Sequence, residues 1–555
     1  MLRLPAALAG LVALALLVPA GAQAAGEGGS GPQRAVDETQ AEKIASRVPK
    51  LAEIHRENPD SYFSAIRKPG QRWEVSLWDP GESSKQVGLA IIDARSGKVI
   101  EAWTGFQVAW SMARGYPGAF GRSVNSPWVW VTLSVLFFLP FFDWRKPLRW
   151  LHFDLLVLLG FGLSLAFFND ANLGISVPIS GLLLAVLLAR LLAIGLRRSG
   201  REPPPLRLLF PWQALLFIGL FLLGFRAALN MVDGNVIDVG YAGVIGADKL
   251  LHGNALYGAF PKDNGAGDTY GPLLSLAYAP FELIWPWQGR WDDLPAAHAA
   301  AGAFDVACVA ALFLIGRRLR DNALGVILAY AWLAFPFTVY VTNSGSNDAL
   351  PAALVLFALA LHARPMARGA LTMAAGMSKF APLALLPLMA THGMRDGWLR
   401  RSTRWKRFGL FALGALLVLG LAAALVFPTT SAETFWERTV GYQVGREAPF
   451  SVWGFYGGGW EVAQKVVQAA TLVGAVAVAF VPRRDDLIGL AALAGAVLVA
   501  VELSATYWFY LYIVWFLGPA LVAFLARPAL SGLPVRRPRA EAPARSSPPA
   551  AAAGT

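Results

Sequence analysis

The chain has one cysteine, Cys308, and six scattered histidines among 555 residues, and only 15% of it is charged. A single thiol excludes an intramolecular disulfide and a cysteine-ligated zinc, and Cys308 lies in an apolar run where it reads as a small buried hydrophobe. The histidines have no metal spacing, so no dedicated metal site is supported, although carboxylates could hold a hard divalent cation. There is no Walker loop and no D-x-D between expected strands; Asp292-Asp293 and Asp485-Asp486 are loop pairs. A cytosolic sugar-nucleotide site is therefore unsupported. Gly26 to Gly31 matches G-x-G-x-x-G in letters only, since no strand precedes it and no helix pattern follows closely. It reads as a flexible linker.

What is abundant is apolar sequence. The mean hydropathy is +0.48. Runs of roughly 16 to 24 apolar residues, the length that crosses about 30 Å of hydrocarbon, recur between Pro127 and Ala526. The fold class expected is mainly α, a polytopic bundle of transmembrane helices. The net charge of +12 raises the question of nucleic acid, but most Lys and Arg sit in short clusters between apolar runs. Positive-inside orientation accounts for them, and no nucleic-acid partner is expected.

Residues 1–25 read as a signal peptide, with Arg3 before the apolar run Leu4 to Val18 and Ala22-Gln23-Ala24 at the cleavage end. Residues 26–36 form the linker. Residues 37–114 are polar, with a helical stretch over Thr39 to Arg56, alternating runs over Trp73 to Trp78 and Val87 to Asp93, a turn at Arg95-Ser96-Gly97-Lys98 and a strand to Trp103. This is a small α+β domain. Its order, and above all AIIDARSGKVIEAW, resembles the PepSY domain over about 65 residues. The resemblance implies an extracytoplasmic module for binding or regulation.

With that domain outside, the spans follow in turn. Three additional helices lie within 127–196 (about 127 to 142, 151 to 168 and 173 to 196) and are bounded inside by the basic loops Asp143 to Arg149 and Arg197 to Arg201. A span at about 208 to 230 then delivers the stretch Asn230 to Phe281 to the outside. Further spans are expected at about 297 to 316, 323 to 341, 349 to 363, 408 to 427, 463 to 481, 487 to 504 and 508 to 526. Thr342 to Asp348 and Pro428 to Trp460 are outer loops. Gly369 to Thr391 either crosses once or forms a hairpin of two short helices broken at Ser378-Lys379. Only the hairpin keeps every basic cluster inside. Residues 527–555, rich in Pro, Ala and Arg, read as a disordered cytoplasmic tail.

Within Asn230 to Phe281, Asp238, Tyr241, Ile245, Asp248 and His252 recur at helical steps, so one face carries carboxylates, a phenol and an imidazole. A solvated amphipathic connector would look the same. Residues 208–526 resemble the GT-C superfamily of polyprenyl-phosphate-sugar-dependent glycosyltransferases, closest to the mannosyltransferase-like family 87. The resemblance rests on Ile237-Asp238-Val239-Gly240-Tyr241, Gly253 to Tyr257, Tyr270-Gly271-Pro272-Leu273, Gly316-Arg317-Arg318-Leu319, Ser346-Asn347-Asp348-Ala349-Leu350, Gly376 to Pro382 and Tyr507-Trp508-Phe509-Tyr510-Leu511-Tyr512.

That resemblance implies transfer of a hexose such as mannose from a polyprenyl-phosphate donor to a hydroxyl of a glycan, glycolipid or protein acceptor on the outer face, with no cofactor. Asp238 is then the expected base, with Asp233 and Asp248 as neighbours that could substitute and helix capping as its rival. Asp348 either orients the acceptor or caps the following helix, since Pro351 lies in its first turn. Tyr241, Asp248, Tyr270 and Trp453 are candidate substrate contacts, with an interfacial aromatic belt as the rival for Trp453. Lys379, Arg446 and Arg226 are candidate partners for the departing phosphate, with snorkelling or structural pairing as the rival reading. Asp305 and Glu502, inside expected spans, are expected to be paired with a neighbouring helix. Two other functions fit the same features: a transporter or flippase of a lipid-linked substrate, and a membrane sensor working through its outer domain.

Overall fold

The computed structural model describes residues 36–68, 71–81, 85–115, 120–196, 205–292, 294–394, 401–444, 446, 448–481 and 483–527. The expected signal peptide, the Gly26 to Gly31 linker, the basic loop Arg197 to Arg201 and the basic tail lie outside these residues. The chain divides into two compact units, Met1–Trp110 and Ser111–Thr555.

In the first unit two helices precede a four-stranded antiparallel meander. The helices are α1 (Glu38–Ala45) and α2 (Pro49–Glu57), and the strands are β1 (Tyr62–Lys68), β2 (Arg72–Asp79), β3 (Lys85–Asp93) and β4 (Val99–Thr104), in sheet order β1-β2-β3-β4. The single helix expected over Thr39 to Arg56 is two, because Pro49 forces Val48 into an extended conformation and can only begin a new helix. A capping box between Asp37 and Gln40 starts α1. Ala41, Ala45, Leu51, Val75, Leu77, Ala90 and Ile92 form the core. At the β3–β4 turn, Asp93 Oδ1 accepts from the Arg95 and Ser96 N–H groups and the Ser96 hydroxyl, and Gly97 takes φ +69°. The Ser96 bonds hold the half-buried Asp93 carboxyl below its usual range.

The second unit is helical. Among the described residues six helices are long and apolar enough to span a membrane: α4 (Trp150–Asn169), α5 (Leu173–Leu196), α6 (Trp212–Asp233), α9 (Pro295–Leu319), α15 (Arg401–Val426) and α17 (Leu487–Ser504). The protein is therefore read as multi-pass. Between them lie α3 (Pro127–Phe138), α7 (Asp238–Leu251), α8 (Pro272–Glu282), α10 (Asn322–Ala334), α11 (Pro336–Asn343), α12 (Ala349–Ala360), α13 (Pro365–Ser378), α14 (Leu386–Thr391), α16 (Glu461–Ala477) and α18 (Ile513–Leu525).

Several expected spans are shorter or broken. The stretch 323 to 341 is the pair α10–α11, bent by 61° at Phe335-Pro336. Pro336 has no N–H to give the Trp332 carbonyl, and that carbonyl is taken instead by the Thr338 hydroxyl and the Arg226 guanidinium. Helix α12 has 12 residues and rises only about 18 Å, too little to cross alone. The chain does fold back at Lys379. Gly376 on α13 packs against Leu383 beyond the break, and Arg368 near the start of α13 donates to the carbonyl of His392 just past α14. Both ends of the hairpin thus lie together. The first three helices belong to the same unit, with Tyr510 Oη bonded to Ser164 and Ser176 at 2.7 Å and Tyr330 Oη donating to the Leu136 carbonyl.

Candidate functional site

Three breaks in the helical bundle meet. The chain leaving α6 runs beside the end of α11, where the Asn235 and Ile237 N–H groups donate to the Asn343 and Ser344 carbonyls. Asn347 Nδ2 donates to the Val239 carbonyl. Gly240 lies so close to Gly345 that a methyl group there would meet the Gly345 carbonyl oxygen at 2.1 Å. This contact fixes the start of α7, and with it Asp238, beside Asp348. The third break is the α13 end, where the Gly271 N–H donates to the Ser378 carbonyl and brings Tyr270 over Lys379, whose Nζ is 5.2 Å from the ring centre.

Asp348 and Lys379 form a buried ion pair. The Asp348 carboxylate also accepts from Trp515 Nε1 at 3.0 Å and from the Ser346 hydroxyl at 2.5 Å. Thr342 to Asp348, expected as an outer loop, is buried throughout. The side chain of Asp348 makes no capping bond to α12, contrary to one of its two expected readings, because its oxygens are turned toward Lys379, Trp515 and Ser346. Lys379 also faces the rings of Tyr512 and Trp515.

Lys379 lines a cavity of about 230 Å³ together with Tyr270, Arg446, Glu502, Tyr507 and Tyr512. The Arg446 guanidinium stacks on Tyr507 at 3.3 Å, with Tyr442 at 5.7 Å, and forms no ion pair among the described residues. Burial pushes the Tyr507 phenol up to about 12 despite Arg446. Asp238 lies beside this cavity rather than in its lining. Its charge acts on Tyr270 and Tyr507 in the cavity wall, and the charges of Arg446 and Lys379 act on it. Asp238 has accessible surface, yet surrounding protein raises its carboxyl above the usual range, opposed by the Val239 N–H, Arg446 and Lys379. Asp238 is thus an accessible carboxylate close to the charged groups of the cavity wall. It makes no ion pair among the described residues, and it stands at the first position of α7, after Ile237 at the N-cap, where its carboxylate meets the Val239 N–H.

The remaining candidates lie elsewhere. Arg226 is buried against Asp305 at 2.6 Å and donates to the Leu333 carbonyl and Thr338 hydroxyl at 3.0 Å. Its two terminal nitrogens are held by Asp305 and by the helix break, which is the structural pairing weighed as its rival reading; the expected pairing of Asp305 is with this residue. Asp248 on α7 pairs with exposed His252, just past the helix end, at 3.1 Å. Tyr241 packs on Trp291 and donates to Asp263. Trp453 donates to the Leu503 carbonyl at 2.8 Å, while Trp436 and Trp460 are exposed. Asp233 accepts from the Ser123 N–H. None of these lines the cavity. Glu502 differs from its expected pairing: it meets no cation among the described residues, accepting from Trp508 Nε1 with one oxygen unpartnered.

Sequence reasoning missed Gln443, Glu502 and Trp515 as wall residues and Arg438 as a support. Arg438 binds buried Asp268 through Nε at 2.8 and 2.9 Å, and Asp268 accepts from the Gly258 N–H, so the 258–270 loop is anchored to the segment before Arg446. The only available signal for Trp515 was its helical spacing from Tyr512. No cluster of three or more His, Cys, Asp or Glu able to hold a metal occurs among the described residues. Compared with protein-family models and with curated proteins, the chain matches none.

Proposed function

We propose that the protein is a membrane glycosyltransferase of GT-C type, a hexosyltransferase that moves a sugar from a polyprenyl-phosphate donor to an acceptor hydroxyl on the extracytoplasmic face. The observation that carries this reading is the convergence of Asp238, Tyr270, Lys379 and Arg446, drawn from four separate stretches, on one cavity and its mouth. Asp238 takes the acceptor hydroxyl proton as the new bond from that oxygen to the anomeric carbon forms. The bond from that carbon to the phosphate oxygen breaks with its electron pair, and inversion follows from attack on the opposite side.

Polyprenyl phosphate leaves as an anion, and Arg446 and Lys379 are the cations at hand. Arg446 has no carboxylate to neutralise it among the described residues, whereas Lys379 is neutralised by Asp348. Arg446 therefore carries most of the stabilisation, and Asp348 serves by holding Lys379 in place. A volume of about 230 Å³ is below the roughly 300–1,000 Å³ of pockets that enclose a whole ligand, which suits the reacting end of a lipid-linked substrate. Tyr270, Tyr507 and Tyr512 offer flat faces and hydroxyls to a sugar.

The test is transfer of labelled sugar from a polyprenyl-phosphate donor by the purified protein and by Asp238→Asn. Loss of transfer in the variant is expected; full transfer would remove Asp238 as the base. The bent α10–α11 pair favours a second reading, a transporter of a lipid-linked substrate. Substrate-dependent flux in vesicles without any transfer would decide for it.

A further inference from the structure

A second cavity, of about 180 Å³, lies at the other end of the hairpin and is lined by His362, Ala363, Pro365, Arg368, His392, Gly393 and Arg407. Arg368 is 11 residues before Lys379, and α13 between them rises about 16 Å, so this cavity is remote from the one that Lys379 lines. The lining holds two guanidinium and two imidazole groups and no acid. Arg368 is buried, at 2% exposure; it spends two nitrogens on the His362 and His392 carbonyls, and its Nε has no partner. His392 is 6% exposed, and its Nδ1 has no partner. Arg407 donates to the Gly393 carbonyl at 2.5 Å.

These observations share one physical difficulty. Two buried polar atoms without partners are each costly, and cations are gathered where they repel one another. Burial first, and then neighbours that include Arg368, Arg483 and Arg407, push the His392 imidazole down to about 3, so it stands here as a neutral ring beside guanidinium groups. Helix α13, 14 residues long, begins here with Pro365 at its first position and no side chain capping it, so its positive end adds to the field. An anion with several acceptor oxygens resolves all of these terms together, and tetrahedral phosphate fits guanidinium forks in particular.

We infer that this cavity binds a phosphate group, as free phosphate or as the headgroup of an anionic lipid, at the end of the α13–α14 hairpin opposite Lys379. The site does not depend on sugar transfer.

The test uses the full chain in two preparations. Delipidated protein in detergent is titrated with inorganic phosphate against chloride at constant ionic strength, reading the melting temperature. Protein in nanodiscs of phosphatidylcholine with phosphatidylglycerol is released into mass spectrometry, reading retained lipid. Arg368→Gln and Arg407→Gln are compared with wild type, and each removes a charged hydrogen-bond donor, so a loss of affinity of about tenfold or more is expected. Saturable stabilisation by phosphate, weakened in the variants, assigns the free ion. Selective retention of phosphatidylglycerol without a phosphate effect, weakened likewise, assigns the headgroup. Because Arg368 also ties the hairpin ends, Arg407→Gln, on a half-buried residue, decides where Arg368→Gln does not fold. Neither ligand binding, equal binding in wild type and Arg407→Gln, or loss in Arg446→Gln instead would overturn the inference.

Discussion

Asp238 is accessible and Arg446 lines the adjoining cavity, and neither forms an ion pair among the described residues, which sets them apart from the paired Asp348 and Lys379. The proton affinity of Asp238 is raised by crowding and lowered by Arg446, so it must ionise before it can act as a base. Transfer activity should therefore rise with pH through a midpoint above the ordinary value of about 3.9 for Asp and then level off. Arg446→Gln removes one of the cations that lower this value, so the rising limb moves to higher pH as the rate falls, and a pH–rate profile of both proteins checks the direction. Asp238→Asn should cost about 10²- to 10⁴-fold in turnover, with little change in thermal stability. Arg226 is the contrasting case. Arg226→Met leaves Asp305 buried without its cation and should lose roughly 3–5 kcal/mol of stability, while adding Asp305→Leu recovers much of it. Denaturation in detergent measures both.

Among the elements, positions depend on backbone contacts at helix ends. A methyl group at Gly271 would meet the Met377 carbonyl oxygen at 2.0 Å, so α8 and the end of α13 must move apart to admit it. Gly271→Ala should cost about 1–3 kcal/mol and lower turnover by displacing Tyr270 and Lys379, which a melting curve and a transfer assay read together. One of these helix ends was legible in the sequence: the break at Ser378-Lys379 stands where charge required it, whereas Pro336 bends a stretch expected to cross as a single span. Tyr270, Lys379 and Arg446 line one cavity, with Asp238 beside it. What stayed hidden depends on partners distant in the chain. Arg226 finds Asp305 79 residues on, and a loop as polar as Thr342 to Asp348 is buried because Gly121, Val236 and Val239 cover it. Nothing local in the sequence distinguishes Glu502, with a free oxygen on a cavity, from an acid paired across a span.

For the whole molecule, the two cavities give the bundle two chemically different ends. One end joins carboxylates to cations beneath aromatic rings, and the other gathers cations without an acid in the lining. An excess of Arg belongs on the cytoplasmic side, and transfer from a lipid donor was assigned to the opposite face, so the two readings require one and the same orientation. Cysteine labelling tests it, and the buried native Cys308 can be replaced by Ser to leave no background thiol. His252→Cys, at the end of α7 on the Asp238 side, should react with an impermeant maleimide in intact cells. Arg401→Cys, at the start of α15 near Arg407, should react only after the membrane is opened. The reverse pattern would put Asp238 on the cytoplasmic face, where a donor sugar would have to be used before export. It would also remove the charge argument for the hairpin, although its folded-back geometry would stand on the Arg368 bond to His392.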